Sequence, residues 1–208
     1  MENHVSAAAS SFLLAGLFAL LFTSFHWKAC DGARVGPQKP TNTEFIRTSC
    51  SATEYPILCF DSLSSYASTI QNSPMKLADA ALTVSLSTAR STSTMMSRMS
   101  AAGGMKPREA AAVSDCMENL GDSVDELQES LAEMAHMRGK NMGLQINDIQ
   151  TWVSAALTDD DTCMDGLAAN AMNGEVKNAV RGHVVNVAQL TSNALAFINA
   201  LSSTRSYP

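Results

Sequence analysis

Two short patterns in this chain are of a kind that enzymes or metal sites use, but neither lies in a context that supports chemistry. Ser73-Pro74-Met75-Lys76 has the Ser-x-x-Lys spacing of penicillin-binding enzymes, yet the companion motifs are missing and the proline indicates a helix start. Residues 161–166 partly match a calcium loop, but a cysteine is third and Met172 occupies the position of the bidentate glutamate. The sequence therefore predicts a protein that is not an enzyme and needs no metal or cofactor.

Cysteine is the residue type with the clearest covalent chemistry here. Of five cysteines, Cys30 adjoins the apolar N-terminal run and is expected to be removed with it. Four then remain, which in a secreted chain predicts two disulfides with three possible connectivities. They are Cys50, Cys59, Cys116 and Cys163.

The nine-residue spacing between Cys50 and Cys59 favours one of these pairings. In an unbroken helix that spacing extends about 13 Å, whereas bridged Cα atoms lie roughly 4.4–6.8 Å apart. Tyr55-Pro56 supplies the necessary turn, because proline lacks an N–H and disfavours helical geometry at the residue before it. We therefore expect bridges Cys50–Cys59 and Cys116–Cys163. Free thiols or zinc are the alternative, which the absence of Cys-x-x-Cys and of ligand-like histidine spacing disfavours.

Acidic residues form the most informative candidate surface. Four of them recur at steps of four, three and four, which places them on one side of a helix: Glu118, Asp122, Asp125 and Glu129. A second polar set follows on a later helix: Thr158, Asp161, Thr162 and Asp165. Like charges on adjacent helices cost stability, which favours a cationic partner, although an ordinary solvated face is the alternative. The net charge of −6 disfavours nucleic acid as that partner.

Hydrophobic periodicity predicts the elements that hold these residues. Apolar residues at helical spacing indicate four long helices, over residues 75–102, 107–134, 146–167 and 176–201. Asp160 interrupts the third pattern at an inward position, and residues 137–143 are predicted to be a flexible connection. Short connections favour antiparallel neighbours, so we expect an all-α fold: an up-down-up-down four-helix bundle with an N-terminal helical hairpin.

The N-terminal part indicates export. Residues 12–22 are an uncharged apolar run, too short to span a bilayer, and a small-x-small cleavage site follows at Gly32. The predicted organisation is a signal peptide (1–32), a linker (33–43), the bundle domain (44–202) and a tail (203–208). Because a basic n-region is missing, an uncleaved anchor is the alternative. After cleavage we expect a secreted protein that does not contact the membrane.

These features together resemble the plant invertase/pectin methylesterase inhibitor family over residues 44–201. The resemblance is carried by Cys-Ser-Ala-Thr-Glu-Tyr-Pro-Ile-Leu-Cys at 50–59, Asp-Cys-Met-Glu at 115–118, Gln-Thr-Trp-Val-Ser-Ala-Ala-Leu at 150–157, Asp-Thr-Cys at 161–163 and Val-Ala-Gln-Leu-Thr-Ser-Asn-Ala-Leu at 187–195. It implies a helical bundle, bridges between the first and second and between the third and fourth cysteines, and 1:1 inhibition of a cell-wall enzyme.

The resemblance also implies an interface. In family members that bind pectin methylesterase, acidic positions after the third cysteine and polar positions around the fourth cover the enzyme's active-site cleft. By their offsets in this chain, the corresponding residues are Glu118, Asp122, Asp125, Thr162 and Asp165. The expected partner is a basic pectin methylesterase in the apoplast or cell wall, and the free inhibitor is expected to be a monomer.

Three alternatives to this function stay open at this point. Many invertase inhibitors of the family carry a Pro-Lys-Phe tripeptide that is missing here, so the motif blocks favour pectin methylesterase, with acid invertase as the alternative target. Similar domains occur as pro-regions of pectin methylesterases, but the chain ends at Pro208, so action in trans is expected. Binding of a lipid or other small ligand inside the bundle is a hypothesis of another class.

Overall fold

The computed structural model describes residues 40–169 and 174–203, and the regular secondary structure within these ranges is entirely helical. The predicted signal peptide with Cys30, most of the linker and most of the tail lie outside the described residues. The helices are α1 (Asn42–Cys50), α2 (Pro56–Leu63), α3 (Ala67–Ile70), α4 (Pro74–Ala102), α5 (Pro107–His136), α6 (Met142–Ala169) and α7 (Glu175–Ser203). A 3-10 turn, Ser64–Tyr66, separates α2 from α3.

The four long helices, α4 to α7, form a closed ring in which each packs against two neighbours. Only four residues join α4 to α5, which is far too short to return along a 29-residue helix of about 43 Å, so these neighbours run antiparallel. Most of their inward side chains are apolar and fully buried, as at Leu82, Leu120, Ile149 and Ile198. The predicted all-α up-down-up-down bundle is confirmed.

Helix starts follow from local capping chemistry. The Thr41 hydroxyl accepts from the N–H of Glu44 at 3.2 Å, so α1 begins two residues before the predicted domain start at residue 44. Ser73 caps α4 in the same way, accepting from the N–H of Lys76, and Pro74 occupies the first helical position. At the other end, α4 stops at Gly103, whose φ of 72° is a left-handed conformation that favours glycine.

The connection between α5 and α6 differs from the prediction. Residues 137–143 were expected to be flexible, whereas a 3-10 turn forms at Gly139–Asn141 and α6 starts at Met142. The Gln145 side chain closes the connection, because its Oε1 accepts from the N–H of Arg138 at 3.3 Å and its Nε2 donates to the carbonyl of His136 at 3.2 Å. One polar side chain of α6 thus binds the backbone on the far side of the turn, and hydropathy gives no sign of this.

Both predicted disulfides are present. Cys50 and Cys59 are bridged across the turn between α1 and α2, with Cα atoms 5.6 Å apart. Cys116 of α5 and Cys163 of α6 are bridged with Cα atoms 4.3 Å apart. The first bridge closes the hairpin, and the second joins the two helices that carry the candidate surface.

The hairpin is attached to the bundle through the Tyr55 backbone. Asn193 of α7 accepts from the N–H of Tyr55 through its Oδ1 and donates to the Tyr55 carbonyl through its Nδ2, both at 3.1 Å. Asn193 is only 2% exposed, so its side chain is fixed by packing as well as by hydrogen bonding. Ile46 and Leu63 are buried in the same core and hold the hairpin helices against the bundle.

The two bridges close loops of different length, which predicts different contributions to stability. Removing Cys116 and Cys163 together by alanine substitution should lower the free energy of unfolding by about 4 kcal/mol, because that bridge constrains the longer loop of the unfolded chain. Removing Cys50 and Cys59 should cost about 2.5 kcal/mol. Urea unfolding of the two double variants measures this. Equal losses, or cross-pairing in non-reducing peptide mapping, would contradict the assignment.

Candidate partner-binding surface

The acidic stripe of α5 lies where the periodicity predicts. Its four members, Glu118, Asp122, Asp125 and Glu129, are all exposed. On the opposite side of the same helix, Leu120 and Leu127 are completely buried. The stripe is therefore the solvent-facing side of a bundle helix, and none of its carboxylates contributes to the core.

The polar face of α6 consists of Thr158, Asp161, Thr162 and Asp165, which are also exposed. The Thr158 hydroxyl donates to the carbonyl of Ser154 at 2.9 Å, and the Thr162 hydroxyl donates to the carbonyl of Thr158 at 2.8 Å. Both hydroxyl protons are thus used within the helix. A partner would meet methyl groups and acceptor oxygens here, beside two carboxylates.

The Cys116–Cys163 bridge brings the two sets together. Glu118 follows Cys116 by two residues, while Thr162 and Asp165 flank Cys163, and α5 and α6 pack side by side along their length. The five residues that the sequence predicted as partner-binding are therefore exposed on two joined helices. We refer to them, together with Thr158, Asp161 and Glu129, as the acidic surface.

A pair of carboxyl groups between α5 and α6 was missed by the sequence reasoning. Burial raises the pKa of Glu126 to about 7, and its neighbours Asp159 and Asp122 act in the same direction. Burial also raises the pKa of Asp159, while the hydrogen bond with Glu126 lowers it. Each carboxyl of the pair therefore keeps its proton to a higher pH than it would in isolation. Only the packing of α5 against α6 reveals this pair, because the two residues are 33 positions apart in the chain.

Asp160 lies inside the bundle, as its phase in the helix predicted. Its side chain is fully buried, and Oδ2 accepts a 3.3 Å hydrogen bond from the hydroxyl of Thr191 on α7. Burial raises the pKa of Asp160 to about 7, and the hydroxyl groups of Ser123 and Thr191 oppose this to a smaller extent. Asp160 is thus a structural group between α5, α6 and α7, separate from the exposed surface.

A polar groove of about 520 Å³ lies between α4 and α5, next to the acidic stripe. Asp122 and Asp125 line one wall of the groove, and Arg90 lines the other. The guanidinium of Arg90 donates to Gln128. The stripe therefore faces a recess that could accept side chains of a partner.

Comparisons with known proteins agree with this architecture. The family profile for plant invertase/pectin methylesterase inhibitors matches residues 44–197. This chain belongs to that family. Pectinesterase inhibitor 11 of Arabidopsis thaliana is 41% identical over 88% of this chain and 93% of its own length. Pectinesterase inhibitor 10 of the same plant is 49% identical over 79% of this chain, which spans 53% of that relative.

A solved structure also supports the assignment of the fold. The crystal structure of mutant form A of a pectin methylesterase inhibitor from Arabidopsis superposes with a TM-score of 0.61, over 74% of this chain and 95% of that one. At 23% identity, this similarity extends to the fold alone. The relatives named above are inhibitors, in agreement with the prediction that this family member is not an enzyme.

The two enzyme-like patterns of the sequence have structural explanations in this family member. The Ser73 hydroxyl caps α4 by accepting from the backbone of Lys76, which accounts for their spacing. Residues 161–166 lie within α6, so they do not form a loop that could surround calcium. No group of three or more potential metal ligands occurs among the residues that the structure describes.

An apolar cavity near the hairpin bears on the hypothesis that the bundle binds a small ligand. An apolar pocket of about 480 Å³ lies where the hairpin meets the ends of α4 and α7, lined by residues such as Phe45, Met75 and Phe197. The hydroxyls of Ser49 and Thr53 at this pocket donate to backbone carbonyls of their own segment. The pocket thus offers few free polar groups to orient a ligand, and it is at the hairpin rather than inside the four-helix core.

The carboxyl pair predicts that the free protein loses stability as pH rises. Above about 4.5 the unfolded chain releases the Glu126 proton, whereas the folded chain retains it until about pH 7, so stability falls across that interval. Glu126→Gln should make this decline shallower and add about 1 kcal/mol at pH 7, allowing for solvent screening of a half-buried group. Urea unfolding at several pH values measures the effect. Glu129→Gln, on the exposed side of α5, is the control, and parallel curves for Glu126→Gln and parent would contradict the assignment.

Proposed function

We propose that this protein is a secreted inhibitor of plant pectin methylesterase that covers the enzyme's active-site cleft in a 1:1 complex. The observation that carries the proposal is the acidic surface on α5 and α6, in a chain whose family relatives are named pectinesterase inhibitors. Glu118, Asp122 and Asp125 would contribute charge, and Thr162 and Asp165 would contribute polar contacts beside the disulfide. The free inhibitor would be a monomer of the apoplast or cell wall.

The geometry supports a preformed, rigid interface. The five proposed contact residues lie on helices that are joined by a bridge and packed into a closed core, so little conformational entropy would be lost on binding. Their carboxylates are exposed and contribute little to folding, but they would attract a basic enzyme and accelerate its association. The groove beside Asp122 and Asp125 gives room for side chains of the partner.

Target choice can be tested directly. The purified mature chain, added separately to a plant pectin methylesterase and to an acid invertase, is expected to inhibit the first and leave the second unaffected. Titration to a sharp endpoint at one inhibitor per enzyme would support the stoichiometry. Inhibition of invertase alone would instead favour the second target of the family. Against that target stand the missing Pro-Lys-Phe tripeptide and the sequence blocks at residues 150–157 and 190–195.

Charge reversal in the acidic stripe should weaken inhibition without unfolding the protein. Replacing Asp122 and Asp125 together by Lys removes repulsion within the stripe and exposes no buried group, so the melting temperature should stay almost unchanged. Inhibition should fall tenfold or more, about 1.4 kcal/mol, with slower association and a flatter salt dependence. Thr162→Lys should act in the same direction through a packed contact.

Two exposed carboxylates outside the acidic surface provide a matched control. Asp61 on α2 and Asp148 near the start of α6 are equally exposed carboxylates, so changing both to Lys alters the net charge by the same amount. This control should inhibit nearly as well as the parent, apart from a small general effect of net charge. If the Asp122 and Asp125 variant also inhibits as well as the parent at low ionic strength, the stripe is a solvated face and the interface lies elsewhere.

A further inference from the structure

The apolar pocket at the hairpin is bordered by four separate segments of the chain. Phe45 lines it from α1, Met75 from the start of α4, Ile146 from α6 and Leu201 from the end of α7. Its volume of about 480 Å³ lies in the range of sites that hold organic groups. Ile146 and Leu201 also belong to the buried core. A group placed in this pocket would therefore contact the hairpin and the bundle at the same time.

The walls of the pocket favour an apolar or aromatic occupant. Among the described residues that line it, none carries a charge. Its hydroxyl groups already have partners, because those of Ser49 and Thr53 donate to backbone carbonyls and that of Ser73 accepts from the N–H of Lys76. A charged group would be desolvated here without compensation. An aromatic ring would instead gain from the removal of its apolar surface from water.

The chain continues past α7 from a point beside this pocket. Ala200 and Leu201 line the pocket, and α7 ends at Ser203, whose hydroxyl donates to the carbonyl of Ala200 at 2.9 Å. Residues 204–208 follow with the sequence Thr-Arg-Ser-Tyr-Pro, so Tyr207 is the aromatic residue of the tail. Four residues of extended chain span at most ~14 Å. That reach allows Tyr207 to turn back onto the pocket.

The chain that precedes α1 fits the pocket less well. Residues 33–39 contain Val35 as their one large apolar side chain, and a valine buries much less surface than a tyrosine. The carbonyl of Pro40 accepts from Nδ2 of Asn72 at 3.2 Å, which fixes the start of the described chain at the connection between α3 and α4. The tail after α7 is therefore the better occupant.

We propose that the tail after α7 folds back so that the ring of Tyr207 occupies the apolar pocket and holds the hairpin against the ends of α4 and α7. Because the tail is short, few backbone torsions must be ordered to bury one aromatic side chain. The tyrosine hydroxyl stays at the open side of the pocket, in contact with water. This inference goes beyond the proposed function, since the pocket lies outside the acidic surface.

Removal of the ring should open the pocket and weaken the attachment of the hairpin. Tyr207→Ala, and a chain that ends at Ser203, should each lower the melting temperature by about 3 °C and raise the fluorescence of the apolar dye anilinonaphthalene sulfonate about threefold. Tyr207→Phe keeps the ring and should behave like the parent. Val35→Ala and Tyr66→Ala are the controls, because Tyr66 lies in the 3-10 turn after α2, and both should leave the dye fluorescence unchanged.

Nuclear Overhauser measurements on the full mature chain test the contact itself. With labelled tyrosine rings and methionine methyl groups, the Met75 methyl should show a contact to a tyrosine ring. This contact should disappear in Tyr207→Ala and persist in Tyr66→Ala, and Met75→Leu identifies the methyl signal. A Met75 methyl that shows no contact to a tyrosine ring, or one that is unchanged in Tyr207→Ala, would overturn the proposal.

Two further results would assign the pocket to no occupant or to a different one. A parent chain that binds the dye as strongly as the chain ending at Ser203 would show that the pocket is open, which overturns the proposal. One equivalent of lipid in an organic extract of the natively purified parent would also overturn it, because the lipid would then fill the pocket. Neither result bears on inhibition of pectin methylesterase, which is measured separately.

Discussion

The close packing of α5 against α6 constrains much of the molecule. The Cys116–Cys163 bridge holds the backbones 4.3 Å apart at one point, and the helices stay in contact along their length. This packing determines the positions of two sets of polar side chains, one exposed and one between the helices. The acidic stripe and the polar face are held on neighbouring helices, while Asp159 lies near enough to Glu126 to raise the pKa of that carboxyl. The exposed carboxylates and the Glu126–Asp159 pair are therefore both positioned by the packing of the same two helices.

Several polar residues in this interior form hydrogen bonds within or between helices. Ser85 and Ser130 are buried, and each hydroxyl donates to the carbonyl four residues earlier in its own helix. Asp160 instead accepts from Thr191 across the gap between α6 and α7. Such small polar residues allow close helix packing in a chain with few aromatic side chains. The core is thus fixed by close approach of helices and by bridges as well as by large apolar groups.

The hairpin gains its place through specific hydrogen bonds in addition to burial. Ile46, Leu63 and Ile70 supply apolar contact, but Asn193 determines the position of the turn by binding both backbone groups of Tyr55. This arrangement seats the hairpin turn on α7.

Periodicity, prolines and glycines in the sequence determined the four helices, their order and the turn that pairs Cys50 with Cys59, because these depend on local geometry. The outward phase of Glu118, Asp122 and Asp125 followed from the same regular spacing. The sequence alone could not place Glu126 beside Asp159, Gln145 across the loop after α5, or the Tyr55 backbone against Asn193. Each of these contacts joins groups on different segments, and their distance is decided only when the helices pack and exclude water between them.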